Sequence, residues 1–162
     1  HLEHRRQRQM CIRDRPIYEG YGMTENSAVA TGNTPDKVKL GTVGTAQPGV
    51  EIKLADDGEI LVRHPGVFLG YYKNQEATNE VLDEDGWLYT GDVGEFDGEF
   101  LKIVDRKKDI IITSGGKNVS PSEIENNIKT SPFIKEAIVI GDDRKFLSAL
   151  IGIEFDLSLI HI

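Results

Sequence analysis

What this chain has little of narrows its possibilities. One cysteine, Cys11, stands among 162 residues, so no internal disulfide can form and no thiolate cluster can hold a metal; a reducing compartment is the simpler expectation. No apolar run reaches the roughly 20 residues that span a bilayer. Basic residues are outnumbered, 19 against 27 acidic ones, and the net charge of −8 argues against general affinity for nucleic acid. No serine or cysteine stands with a histidine base, so catalysis through a protein nucleophile is not expected. The hydrophobic share of 38% and charged share of 28% fit a soluble globular protein of one domain or two small ones.

The two ends differ from the middle. Arg5, Arg6, Arg8, Arg13 and Arg15 face only Glu3 and Asp14 in the first fifteen residues. A basic arm or a transit peptide is one reading of such a head, but no apolar segment of signal-peptide length follows and no amphipathic period is evident. Residues 1–16 read better as a non-native or disordered head, and Leu157-Ser158-Leu159-Ile160-His161-Ile162 as a non-native tail. His1, His4 and His161 then carry no functional weight.

Between the ends, short strands dominate at first. Val50–Leu54 and Glu59–Arg63 alternate with period two around Ala55-Asp56-Asp57-Gly58, the pattern of a hairpin. Val67–Tyr72 is a further strand candidate, in which Tyr71 and Tyr72 read as packing residues. Asn74–Leu82 reads as a short helix with Asn74 as N-cap and Ala77, Val81 and Leu82 inward. Trp87 reads as a core residue. Val93–Phe96 and Phe100–Val104 form a second hairpin across Asp97-Gly98, which together suggests a barrel-like β unit. Gly41-Thr42-Val43-Gly44 and Gln47-Pro48-Gly49 are turns, since neither lysine nor helix follows as a phosphate loop requires. His64 has no acid or nucleophile nearby and reads as a surface loop residue.

The pattern changes at Asp105. Asp105-Arg106-Lys107-Lys108-Asp109 places five charges between two apolar runs, at a junction of elements rather than along one face. Ile110-Ile111-Ile112 reads as a buried strand. Ser120-Pro121-Ser122-Glu123 is a capping box with proline at the first helical position, and Ile124 and Ile128 give its helix an apolar face that ends by Ser131-Pro132. Ala137–Gly141 and Ala149–Ile153 are two more strands. The fold class is therefore mixed α/β (α+β). Residues 17–104 form the β unit and 105–156 a smaller α+β unit.

Thr24 and Glu25 place a hydroxyl beside a carboxylate, a pair suited to a phosphate oxygen and Mg²⁺ because that ion prefers hard oxygen ligands. Tyr18–Gly22 mixes aromatics with glycines, as where backbone approaches a flat ligand closely. Arg106 offers planar, permanently charged donors, or else a surface ion pair with Asp105 or Asp109. Gly115-Gly116-Lys117 lacks the glycine spacing and Ser/Thr of a Walker loop.

Four segments in order, Tyr21-Gly22-Met23-Thr24-Glu25, Tyr89-Thr90-Gly91-Asp92, Asp105-Arg106-Lys107-Lys108-Asp109 and Ser114-Gly115-Gly116-Lys117-Asn118, resemble core motifs of the adenylate-forming (AMP-binding) acyl-CoA synthetases, nearest the long-chain fatty acid–CoA ligases. The resemblance runs from about Ile17 to Phe155. It implies a C-terminal-half piece of a ligase: the end of the large AMP-binding domain with its distal β subdomain, then the first part of the mobile C-terminal domain. It implies ATP/AMP, Mg²⁺ and CoA as ligands, with fatty acid as the acid substrate, no nucleic-acid partner, and a cytoplasmic protein meeting a membrane only peripherally through its lipid substrate. Tyr21 and Gly22 would lie near adenine, Thr24 near the phosphates, and Glu25 on Mg²⁺, with Thr24 and Glu25 as the catalytic pair. Asp92 would accept from both ribose hydroxyls, since a carboxylate has two acceptor oxygens, and Arg106 would join it on the nucleotide. Gly115, Gly116 and Lys117 would face the CoA side, and Asp105 would be the hinge.

The family's Ser/Thr/Gly-rich phosphate loop and most of its acyl pocket correspond to sequence before Ile17, and its adenylation lysine to sequence beyond Phe155. The isolated chain is therefore expected to be inactive. Two alternatives stay open: a ligase for an aryl or amino acid, or a non-catalytic nucleotide-binding module.

Overall fold

The computed structural model describes residues 11–12 and 15–155, with side chains from Ile17 onward. Most of the head and all of the tail singled out above lie outside the described residues. The chain is mixed α/β and divides into two units. One takes residues up to Thr90 together with Gly94–Ile103; the other takes Gly91–Val93 and the chain from Val104.

The first unit is built of short antiparallel strands. Cys11–Ile12 (β1) pairs with Arg15–Pro16 (β2). Gly20–Tyr21 (β3), Thr31–Gly32 (β4) and Thr45–Ala46 (β5) make a three-stranded sheet. Glu51–Leu54 (β6), Glu59–Arg63 (β7), Leu88–Asp97 (β8) and Phe100–Arg106 (β9) are neighbours in that order in a four-stranded sheet. Both expected hairpins are present. The first closes with Gly58 at φ +84° and an Asp57 side chain that accepts from the Glu59 amide, the left-handed geometry that a glycine supplies without steric cost.

Burial in β7 departs from the period-two reading. β7 lies between β6 and β8, and Glu59, Ile60, Leu61 and Val62 are all buried; since successive side chains point to opposite faces of a strand, both faces of β7 are covered. Ile60, Val62, Leu101 and Ala30, all fully buried, form the core, with Tyr21, Val43, Val50, Ile52, Leu54 and Ile103 packed against them. Each large aliphatic side chain buried there contributes about 1.5–3 kcal/mol. One core faced by strands of both sheets makes this a barrel-like β unit.

Trp87 is buried as expected, with Lys53 Nζ 4.1 Å and Arg63 Cζ 4.5 Å from its ring centre. Gln75–Val81 (α1) follows its N-cap Asn74, whose side chain accepts from the Ala77 amide. The most buried residue of this helix is Thr78, rather than Ala77 or Val81. Val67–Tyr72 is not a strand. Gly70 takes φ +138°, and a Cβ there would strike the Thr78 side chain, so this segment bends against α1 instead of extending.

In the second unit, Lys107–Asp109 forms a 3₁₀ turn, and Ile111–Ile112 (β10) pairs with Asn118–Val119 (β11). The buried strand expected at Ile110–Ile112 is reduced to these two residues: Ile111 is buried and Ile112 is 54% exposed, since β10 has only the short β11 beside it. Pro121–Ile128 (α2) begins as the capping box predicts, with Ser120 Oγ accepting from the Glu123 amide. Ile134–Ile140 (β12) and Ser148–Ile153 (β13) pair antiparallel. α2 packs on β12, where Ala137 and Val139 are buried and the Val139 amide donates to Glu125 Oε1 at 2.8 Å. Among the described residues no helix is long and apolar enough to cross a membrane.

Candidate functional site

The Thr24–Glu25 pair sits in a single 3₁₀ turn, Thr24–Asn26, directly after β3. Asn26, fully buried, holds the turn by accepting from the Met23 amide through Oδ1 at 2.8 Å. Ser27 and Ala28 follow at φ +56° and +59°. Two successive non-glycine residues in the left-handed region are strained, and such strain persists where surrounding contacts over-determine it. Those contacts come from residues 66–71. Ser27 Oγ donates to the Gly66 carbonyl at 2.7 Å, the Phe68 amide donates to the Glu25 carbonyl at 2.7 Å, and Tyr71 Oη donates to Glu25 Oε1 at 2.8 Å.

Tyr71 therefore does more than the packing that its sequence context suggests: its ring lies against Phe68 and its hydroxyl reaches Glu25. Its hydrogen bond to Glu25, with a smaller contribution from burial, holds the phenol above its ordinary pKa and keeps it a donor at neutral pH. Tyr72 is 88% exposed and outside the core. Gly22 has a structural requirement within the chain itself. A Cβ there would fall 2.3 Å from the Ala28 carbonyl carbon, so the chain's own backbone fills that space. Tyr21 is half-buried and packs on the core, while Thr24 is exposed. His64 is half-buried rather than at the surface: Nδ1 accepts from the Gly66 amide at 3.0 Å, and Nε2 is buried with no partner among the described residues.

In the second unit, Asp92 and Arg106 come together. Arg106 Nε lies 3.5 Å from Asp92 Oδ1, with the Asp92 side chain 16% exposed and that of Arg106 65% exposed. An acceptor and a planar donor thus share one place, with most of the guanidinium open to solvent. The ion pair that the sequence left open for Arg106 is made with Asp92, fourteen positions back in the chain, and not with Asp109.

Asp105 is buried, and its carboxylate is the hub of this unit. It accepts from Ser120 Oγ at 2.6 Å, Ser122 Oγ at 3.1 Å, the Ser122 amide at 3.3 Å and the Arg106 amide at 2.9 Å. Burial pushes its pKa up, but the donors from Ser120, the Arg106 amide and Ser122 outweigh burial and leave it below the ordinary value. An ionised carboxylate at the first turn of α2 also complements the positive end of the helix dipole. Gly115, Gly116 and Lys117 lie on an exposed turn closed by Thr113, which accepts from the Gly116 and Lys117 amides. The turn is tied at its start to the Gly141–Arg144 loop, through the Ser114 amide to the Arg144 carbonyl and the Asp143 amide to the Ile112 carbonyl.

The residues fit Mg²⁺ in one respect only. Among the described residues no three His, Cys, Asp or Glu side chains stand together to hold a metal. Mg²⁺ ordinarily uses one or two carboxylates and completes its shell with phosphate oxygens and water. Glu25 is half-buried and Tyr71 engages its Oε1, leaving Oε2 as a single hard oxygen for a cation that arrives with a nucleotide.

Sequence reasoning missed Asn26, Tyr71, Ser120 and Ser122 as members of these networks. The serines carried a signal, since a capping box names Ser120, but nothing local tied them to Asp105. Tyr71 lies 46 positions from its partner and carried none.

Comparison with known proteins bears on the family of this chain. The family model described as AMP-binding enzyme matches residues 2–72, and that described as AMP-binding enzyme C-terminal domain matches residues 108–157. The long-chain-fatty-acid–CoA ligase FadD15 of Mycobacterium bovis is 48% identical over 139 residues, which is 85% of this chain and 23% of that protein. The long-chain-fatty-acid–CoA ligase ACSBG1 of Bos taurus is 40% identical over 149 residues, covering 88% of this chain and 20% of that protein. Among solved structures, the O-succinylbenzoate coenzyme A synthetase MenE of Bacillus subtilis, in complex with ATP and magnesium ion, superposes with a TM-score of 0.75 at 34% identity, over 93% of this chain and 33% of that one. The chain thus spans about a quarter or less of the length of these curated relatives. With both models falling in order on the two units, the chain belongs to the AMP-binding, adenylate-forming enzyme family.

Proposed function

We propose that this chain is a section of a long-chain fatty acid–CoA ligase. Such a ligase joins a fatty-acid carboxylate to the α-phosphate of ATP, releasing pyrophosphate, and then passes the acyl group to the CoA thiol, releasing AMP. A carboxylate is a poor acyl donor because its carbon is electron-rich and its leaving group would be oxide; in the acyl-adenylate the leaving group is AMP, which departs as a stable phosphate anion when the thiol attacks the acyl carbon. This chemistry asks for positioning and charge neutralisation rather than a protein nucleophile. In the reading proposed here, Tyr21 and Gly22 border adenine and Thr24 meets the phosphates. Glu25 holds Mg²⁺, which when bound would neutralise phosphate charge. Asp92 and Arg106 take the ribose, and the Gly115–Lys117 turn serves the CoA side after a rotation at Asp105. A cytoplasmic setting, with lipid substrate drawn from a membrane surface, goes with this reading.

The observation that carries it is the Asp92–Arg106 pair. A shielded carboxylate with an open guanidinium against it presents acceptors and donors together, as two neighbouring ribose hydroxyls require. The choice of fatty acid rests on relatives 48% and 40% identical that bear that name. In the longer ligase carrying this segment, Asp92→Ala should weaken ATP binding more than tenfold, because each hydrogen bond to a charged group is worth about 1.5–3 kcal/mol. Titration of ATP against both proteins tests it; equal affinity would remove Asp92 from the site. The isolated chain should catalyse no ATP–pyrophosphate exchange with any fatty acid.

The hinge is tested by the two half-reactions. Proline at 105 fixes φ near −65° but also removes the carboxylate that Ser120 and Ser122 use, so Asp105→Ala is its control. Pyrophosphate exchange that persists in Asp105→Pro, with acyl-CoA formation lost there and kept in Asp105→Ala, is the hinge result. Equal loss of both half-reactions in the two variants would make Asp105 an anchor alone.

A further inference from the structure

The proposed cation ligand Glu25 is held at two points by one distant segment. Its carbonyl accepts from the Phe68 amide and its carboxylate accepts from Tyr71 Oη. That segment is itself fixed. The Tyr71 amide donates to Thr78 Oγ1 at 2.9 Å, and Thr78, buried in α1, donates onward to the Asn74 carbonyl. The Tyr71 ring stands edge-on to Phe68, centres 4.9 Å apart at 73°. Backbone, ring and hydroxyl of Tyr71 therefore each have a partner, and only the hydroxyl reaches toward the nucleotide-binding residues.

We propose that Tyr71 is a positioning residue for the metal-binding carboxylate of Glu25, an inference that rests on the Mg²⁺ role given to Glu25 above. A carboxylate on a flexible side chain loses rotamer freedom when it takes up a cation, and prior fixation of one oxygen removes part of that loss. With Oε1 engaged by a neutral donor, Oε2 keeps the position in which it meets the cation brought by ATP. Groups that orient metal ligands from outside the coordination shell commonly govern affinity by 10–100-fold. Tyr71 is 39% exposed, so water can replace part of its hydrogen bond, and the lower end of that range applies.

Tyr71→Phe keeps the ring against Phe68 and the backbone bond to Thr78, and deletes the hydroxyl alone. In the longer ligase, with ATP and without fatty acid, Mn²⁺ held by the protein is read by the enhancement of water-proton relaxation over that of the Mn²⁺–ATP complex alone, which needs no turnover. The expected result is Mn²⁺ affinity about tenfold weaker in Tyr71→Phe, weaker again in Glu25→Gln, and no further loss when the two are combined. Wild-type affinity in Tyr71→Phe beside a weakened Glu25→Gln would overturn the positioning role and leave Glu25 as the ligand. An effect of Tyr71→Phe that persists in full in the Glu25→Gln background would also overturn it, since the hydroxyl would then act through another group. Wild-type affinity in Glu25→Gln would overturn both this inference and the metal role on which it rests.

Discussion

The two units hold their candidate site residues by different means. In the first, the Thr24–Asn26 turn is gripped from a distance, with bonds from Phe68 and Tyr71 more than forty positions downstream, on a unit whose core includes the fully buried Ile60, Val62 and Leu101. In the second, Ile111, Ala137 and Val139 are the only buried hydrophobics among the described residues, while Ile138, Leu150 and Ile153 are about half exposed or more. There the organising feature is polar: one carboxylate, Asp105, with donors from Ser120, Ser122 and Arg106. The difference teaches where each unit is vulnerable. Apolar burial tolerates pH and fails on truncation of a side chain, whereas a hydrogen-bonded carboxylate fails on protonation.

The sharpest break of that comparison is in the first core. Leu101→Ala should destabilise that unit by about 2–5 kcal/mol, the cost of lost transfer energy plus a cavity. Ile138→Ala, on the exposed face of β12, should cost under about 1 kcal/mol. Trp87 lies in the first unit and is the sole tryptophan, so denaturant unfolding followed by its fluorescence measures the first effect. Hydrogen exchange of β12 amides measures the second. Comparable costs at the two positions would erase the contrast.

Next in size is Asp105. Asp105→Ala removes the shared acceptor of four donors and should cost the second unit about 2–3 kcal/mol, the range for losing a charged hydrogen-bond partner. The loss should appear in exchange of α2 amides and leave the Trp87 transition in place. A pH effect follows with a definite sign. The folded pKa of Asp105 is depressed, so its contribution is fully present above the unfolded value of about 3.9 and disappears as pH falls through the folded value. Exchange protection in α2 should therefore decline below about pH 4 in the native protein, and Asp105→Asn should flatten that decline. The exposed Glu51–Arg63 pair in the first unit also lowers the Glu51 pKa through its hydrogen bond, but such a surface pair adds little.

The smallest effect separates capping from anchoring. Ser120→Ala loses the N-cap of α2 and one donor to Asp105, and should cost about 1 kcal/mol. Ser122→Ala loses only a donor to Asp105 and should cost less. If Ser122→Ala proves the costlier in a thermal melt followed by circular dichroism, the carboxylate network outweighs the cap.

The sequence by itself determined the hairpins around Gly58 and Gly98, the Asn74 and Ser120 caps, the buried Trp87, and the order of four motifs that mark an AMP-binding enzyme. These are short-range matters, settled by turn geometry, by side-chain oxygens two or three residues from the amides they accept from, and by period-two patterning. Only the tertiary structure decided that β7 is buried on both faces, that Val67–Tyr72 bends instead of extending, and that the space beside Gly22 is filled by Ala28. It alone set Tyr71 on Glu25 and Arg106 on Asp92, and it showed Asp105, read from sequence as a charge at a junction of elements, to be a buried carboxylate bonded to the first turn of α2. The physical reason is the same in each case. A residue's neighbours along the chain fix its local conformation, but whether its polar atoms meet a partner depends on the path of segments tens of residues away, which no local pattern encodes.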